Sequence, residues 1–173
     1  MEATRKKTTT FNIVMVGLSA ALICIAGPFA IPIPFSPVPI SLIPLAIFIC
    51  AFLLDWKLCG LSYVIFLLLG MVGLPVFSGF SGGYLIGFIF TALVTGFFIN
   101  KFNKIYMYVI GMILGMVFGY LFGTIWFVYQ QGTTFTAALS LCVFPYLPGE
   151  AVKMVIAALV GPILKKRIAK LSI

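Results

Sequence analysis

Long apolar runs separated by short polar or proline-rich breaks dominate the chain. They divide it into six candidate membrane spans at 11–27, 38–54, 58–74, 82–99, 105–129 and 138–164, the last interrupted by Pro145 and Pro148. Most of these runs fall in the range of roughly 17–25 residues that lets a helix cross a hydrocarbon core about 30 Å thick. The pattern predicts an all-α integral membrane protein with six transmembrane helices. A six-helix membrane domain over 11–164 is flanked by an N-terminal tail, 1–10, and a basic C-terminal tail, 165–173. Composition agrees, with 63% hydrophobic and 8% charged residues and a mean hydropathy of +1.25. Soluble domains carry charge on roughly a quarter of their residues.

The few charges then give direction to the spans. Ten of the eleven Lys and Arg fall into four clusters: Arg5, Lys6 and Lys7; Lys57; Lys101 and Lys104; Lys165, Lys166, Arg167 and Lys170. The connections at 28–37, 75–81 and 130–136 hold none. Basic residues stay on the cytoplasmic side, so both termini are expected in the cytoplasm of a multi-pass protein of the cell (plasma) membrane. An even number of spans is consistent with that. The net charge of +8 is absorbed by topology and by contact with anionic membrane lipid, and no basic aromatic surface is left for nucleic acid. A cleaved signal peptide is disfavoured, because the first apolar run is long for one and its loss would leave an odd number of spans.

Subtracting these clusters leaves Lys153, and subtracting Glu2 and Asp55 from the three acids leaves Glu150. Charge at membrane depth is costly, by about 2.5–3.5 kcal/mol per residue on insertion scales, and marks a functional site by default. Both lie in Phe144-Pro-Tyr-Leu-Pro-Gly-Glu-Ala-Val-Lys153. There Pro148 and Gly149 break the segment so that a helix restarts with Glu150 in its first turn. Lys153 follows one turn deeper on the same face. Two roles fit this spacing. The residues neutralise one another as an i, i+3 ion pair, or the carboxylate accepts ligand N–H donors while the ammonium takes a ligand carboxylate.

The outward loops add shape. Ile31-Pro-Ile-Pro-Phe-Ser-Pro-Val-Pro39 cannot be helical, since alternating prolines remove donors and force their predecessors into extended geometry. It reads as a stiff apolar flap or as a plain rigid turn. Ser78-Gly-Phe-Ser-Gly-Gly-Tyr-Leu-Ile-Gly87 opens the fourth span, and the amides of Gly82 and Gly83 would face polar groups at a helix N-terminus. Gly83 and Gly87 equally form a small-residue packing face. Trp126, Tyr84, Tyr146 and Phe35 are candidate apolar walls of a pocket, or belt residues at the interface.

Several chemistries are excluded. The chain has no Gly-x4-Gly-Lys-Ser/Thr loop and no His, so it has neither a nucleotide-phosphate cradle nor the parts of a triad. Cys24, Cys50, Cys59 and Cys142 are scattered without a CxxC pair and read as packing residues with neither zinc nor disulfide. A non-enzyme without cofactor or metal, devoted to binding, conduction or transport, is what remains.

Five motifs in order carry a family resemblance. They are Ile31-Pro-x-x-x-Ser-Pro-Val-Pro-x-Ser, Leu67-Leu-Leu-Gly-Met-Val-Gly-Leu-Pro-Val-Phe77, Ser81-Gly-Gly-Tyr-Leu-Ile-Gly87, Tyr120-Leu-Phe-Gly-Thr-Ile-Trp126 and Pro145-Tyr-Leu-Pro-Gly-Glu-x-x-Lys153. Together they resemble the BioY family, the biotin-specific substrate-binding S components of energy-coupling-factor transporters. The resemblance implies a six-helix protein that captures a vitamin near the outer face. Its implied partners are a transmembrane coupling protein and two cytoplasmic ATPases. It implies ligand contact at Glu150 and Lys153, and partner coupling through small residues of the first span, matched loosely by Gly17, Ala20 and Ala21. The family's usual acid is Asp, one methylene shorter than Glu150, and its usual loop before Gly-Gly-Tyr is longer. Biotin is the expected ligand, with another small carboxylated vitamin or a precursor such as dethiobiotin as the alternative. A small membrane channel or scaffold, in which the Glu150–Lys153 pair is structural, is the alternative of a different class.

Overall fold

A computed structural model describes residues 2–33, 36–73 and 82–171, and the architecture is helical. Helix α1 (Glu2–Ala26) leads into a short hairpin of β1 (Ala30–Ile33) and β2 (Ser36–Ser41). Helices α2 (Ile43–Leu53), α3 (Trp56–Gly73), α4 (Gly82–Lys101) and α5 (Ile105–Gln131) follow. The chain ends in α6 (Phe135–Cys142), a single 3-10 turn at Phe144–Tyr146, and α7 (Leu147–Leu171).

Helix α1 runs through the basic residues from Glu2 onward. The expected second span, 38–54, begins as strand and continues as helix: the end of β2 occupies its start, and α2 has only 11 residues, about 16 Å at 1.5 Å per residue. Prolines at 37 and 39 cause this, since they exclude the helix and favour extended backbone. The hairpin pairs antiparallel with Ala30 opposite Ser41 and Ile31 opposite Ile40, and shifts register between Ile31 and Ile33. The expected sixth span splits into α6 and α7 around Pro145, with the break at Val143–Tyr146, and Pro148 does not interrupt α7. Pro148 lies in the first turn of α7, where no N–H partner is needed. Among the described residues, three segments are long and apolar enough to cross a membrane: Gly82–Lys101, Ile105–Gln131 and Phe135–Ile168.

Helices α4 and α5 form the tightest seam. Lipid tails are as apolar as Leu, so helices in a membrane associate through close packing and interhelical hydrogen bonds. Thr91 Oγ1 donates to the carbonyl of Gly115 at 2.8 Å, and Thr95 Oγ1 to that of Gly111 at 3.3 Å. A Cβ on Gly87 would stand 2.6 Å from the Gly119 carbonyl oxygen, so the backbones meet where only hydrogen fits. The Gly83 and Gly87 packing face expected from spacing is therefore present. Tyr63, Phe48, Phe66, Ile47 and Met112 fill the core. Cys50 and Cys59 are buried in it as packing residues.

The basic end of the bundle is closed by polar contacts. Lys165 Nζ donates to the Ile99 carbonyl at 3.0 Å, and Asn100 Nδ2 to the Leu54 carbonyl at 3.4 Å. The loop after α2, the end of α4 and the last turns of α7 therefore converge at one end. At the other end, α5 stops at Gly132, in left-handed conformation at φ 64°, and Thr134 caps α6 by accepting from the Ala137 amide at 3.4 Å.

Candidate functional site

Glu150 falls in the first turn of α7, and Lys153 follows on the same face, as their i, i+3 spacing requires. Each is only 5% exposed. Lys153 Nζ lies 2.6 Å from Glu150 Oε1 and donates at 2.6 Å to the carbonyl of Ser41, the last residue of β2. The ammonium thus joins α7 to the hairpin across 112 positions of sequence. Burying two charges costs several kcal/mol per ion and is offset only where the geometry is good and further hydrogen bonds exist. Here Lys153 has two acceptors. Glu150 has one oxygen engaged, while Oε2 is buried with no partner among the described residues. An unmet buried carboxylate oxygen is an acceptor available to a donor-bearing ligand.

Aromatic residues surround the pair. Tyr120, on α5, lines the same apolar groove as Glu150. Its ring meets that of Tyr84 edge-on, centroids 6.0 Å apart at 75°, and the Tyr84 and Thr124 hydroxyls are 3.5 Å apart. Tyr84 and Tyr146 are both buried. A lateral apolar groove of about 510 Å³ runs between α5, α6 and α7, with Tyr120, Leu139, Glu150 and Met154 among its lining. Volumes of this order, with apolar walls and few polar groups, are typical of small-molecule sites.

Tyr84 contacts Tyr120, and Tyr146 stands at the start of α7. Trp126 is half-buried on α5, where its ring lies against Gly83. Gly82 and Gly83 are buried in the first turn of α4, and Gly83 has a packing role, since a Cβ there would run into the Trp126 side chain. Phe35 lies outside the described residues. On α1, Gly17 and Ala21 are exposed, and a Cβ on Gly17 would meet no atom within 4 Å. Ala20 turns inward at 2% exposure, so it packs the core and does not share that outer face.

Tyr120, Thr124 and Ser41 lie in the motifs that carry the resemblance, but the sequence alone assigned none of them a place at the site. Tyr120 and Thr124 are spaced i, i+4 in an otherwise apolar helix, a polar stripe that could have flagged them. Ser41 contributes a backbone carbonyl, for which no side-chain signal exists.

Comparison with known proteins gives consistent relatives. The sequence model of the BioY family matches residues 2–170. The biotin transporter BioY of Thermotoga maritima is 31% identical over 166 residues, 90% of this chain and 96% of the relative. The biotin transporter BioY of Lactococcus lactis subsp. cremoris is 32% identical over 178 residues, 93% and 92% of the two chains. Among solved structures, an S-component for biotin from an ECF-type ABC transporter superposes with a TM-score of 0.79 at 30% identity. That match covers 96% of this chain and 94% of the other.

Proposed function

This chain belongs to the BioY family, and on that premise we propose that it is the substrate-capture subunit of an ATP-driven biotin uptake transporter. It is a membrane protein and not an enzyme. The observation that carries the reading is the buried Glu150–Lys153 pair with one carboxylate oxygen unpartnered. Biotin offers complementary groups: two ring N–H donors for the carboxylate and a tail carboxylate for the ammonium. Charge-assisted bonds of this kind are roughly twice as strong as neutral ones. On binding, the ring N–H groups approach Oε2 of Glu150, and Lys153 Nζ leaves Glu150 Oε1, 2.6 Å away in this structure, to meet the tail carboxylate that the valerate chain holds away from the ring. Tyr120 and Tyr84 supply the walls, with Tyr146 beside them, and Gly83 lets the Trp126 side chain pack against the α4 backbone.

The chain crosses the membrane six times with both termini in the cytoplasm. The convergence of Lys57, Lys101, Lys104 and Lys165 toward one end of the bundle supports this, since that end also carries the basic loops. A transmembrane coupling protein and cytoplasmic ATPases supply the energy. The exposed Gly17 and Ala21 on α1 offer the coupling protein a surface where backbones approach closely.

Thermal unfolding of the purified chain with and without biotin tests the capture function. A ligand at 100 times its dissociation constant stabilises by about 2.7 kcal/mol, so the melting temperature should rise with biotin concentration. A melting temperature that saturating biotin leaves unmoved, together with no biotin retained on purification, would sink the reading.

A further inference from the structure

At the basic end of the bundle, an open recess of about 710 Å³ lies between the start of α3 and the end of α4. Asp55, Trp56, Lys57, Phe97, Asn100 and Lys101 are in its lining. The capture site uses none of them.

Backbone packing sets the shape of this recess. A Cβ on Gly96 would stand 2.9 Å from the Cα of Trp56, so the first residue of α3 rests directly on α4. Asn100 Nδ2 donates to the Leu54 carbonyl at 3.4 Å and holds the turn before α3. The Trp56 and Phe97 rings then meet edge-on, centroids 6.3 Å apart at 87°. Lys57 Nζ stands 5.3 Å from the centre of the Trp56 ring, and Lys101 Nζ 5.2 Å from that of Phe97. Two ammonium groups from different helices thus flank one aromatic pair. Neither forms an ion pair among the described residues, where the one such pair is Lys153 with Glu150.

Trp rings and the heads of Lys side chains settle at the boundary between hydrocarbon and headgroups. Exposed apolar strips run from the recess along both helices. On α3, Leu61, Val64 and Leu68 continue the face of Lys57, and on α4 Phe90 continues that of Phe97. Unpaired cations at the head of apolar strips match a phospholipid, whose phosphodiester meets the cations while its acyl chains follow the strips. Basic pockets between membrane helices bind acidic lipid headgroups in this way. Asp55 offsets one of the two positive charges, so a singly charged phosphodiester fits better than a multiply charged soluble anion. The hydroxyl groups of a glycerol headgroup can also donate to the Asp55 carboxylate.

We infer that this recess binds the headgroup of an anionic phospholipid of the phosphatidylglycerol type, with Lys57 and Lys101 on the phosphodiester beside the Trp56–Phe97 pair.

Quenching of Trp56 fluorescence by brominated lipid tests this. The chain has two Trp, so Trp126→Phe leaves Trp56 as the sole indole. In vesicles of phosphatidylcholine and phosphatidylglycerol, brominated phosphatidylglycerol should associate with Trp56 about 5-fold or more strongly than brominated phosphatidylcholine at equal mole fraction. Lys57→Gln and Lys101→Gln should each lower that preference, and the double variant should abolish it. Lys104→Gln removes a charge at the same end but outside the recess, and should change the preference by less than about 2-fold. Equal association of the two lipids with the parent would leave the lysines to solvent or to a protein and overturn the inference. A loss from Lys104→Gln as large as that from Lys57→Gln would make the preference a diffuse surface attraction and also overturn it. So would displacement of the lipid by soluble glycerol phosphate, which would assign the recess to a free anion.

If Trp126→Phe does not fold, mass spectrometry of the intact parent chain, released from micelles holding both lipids in equal amounts, reads the same preference with the same lysine variants. Retention of the two lipids in equal amounts would overturn the inference.

Discussion

At the scale of single residues, the site depends on how two buried charges are shared. Lys153 serves Glu150 and the Ser41 carbonyl together, so Lys153→Ala leaves a buried carboxylate uncompensated. Breaking such a pair destabilises by about 3–5 kcal/mol, and the variant should melt at a lower temperature in the absence of ligand. Its affinity for biotin should fall far more than its affinity for biotin amide, because the ammonium is proposed to meet the tail charge. Calorimetry on both ligands checks this, and equal losses would confine Lys153 to a structural role. Glu150→Gln keeps the size but replaces a charged acceptor and adds donors that oppose the ligand's own. Losing a charge-assisted bond of about 1.5–3 kcal/mol corresponds to a loss of about 10- to 150-fold in dissociation constant. Tight biotin binding by Glu150→Gln would make the pair a structural one. Glu150→Asp restores the family's usual acid and should keep biotin binding.

At the scale of elements, the α4–α5 seam holds the aromatic wall in place. Its close approach depends on glycine at Gly87, where a side chain would meet the Gly119 backbone rather than a movable side chain. Gly87→Leu forces the helices apart, and overpacking of this kind costs about 1–3 kcal/mol. The variant should melt lower, and biotin should bind more weakly, because Tyr84 on α4 and Tyr120 on α5 would no longer meet. A thermal scan with a binding isotherm reads both effects, and normal stability would refute the seam's role. The hairpin works differently. Its prolines keep it out of a helix, and its last residue is tied to α7 by the Lys153 bond to Ser41, a contact made by the partner element.

At the scale of the whole molecule, the basic and the aromatic ends lie apart along α7. Lys165 is 15 positions after Glu150, about 22 Å of helix. In a variant freed of its four cysteines, a cysteine at Gln131 should be labelled from outside the cell and one at Asn103 from inside. The opposite pattern would turn the site toward the cytoplasm and remove its use in capture. The two positions flank α5, so one experiment fixes the direction of the longest apolar helix.

What the sequence determined by itself was local or compositional. Charge scarcity and apolar run length imply a helical membrane protein, and the i, i+3 spacing puts Glu150 and Lys153 one turn apart on one face of a helix. Those are properties of neighbouring residues, so no tertiary knowledge is needed. The tertiary structure decided which neighbours the pair would have and which face of each helix turned inward. Nothing in the sequence joins Ser41 to Lys153 or sets Tyr120 in one groove with Glu150, and Ala20 could not be separated from Gly17 and Ala21. The physical reason is that lipid and protein core are both apolar. A membrane helix is hydrophobic all round, and the periodicity that reveals the buried face of a soluble helix is missing. Only packing, through glycine contacts and a few buried hydrogen bonds, settles which side faces in.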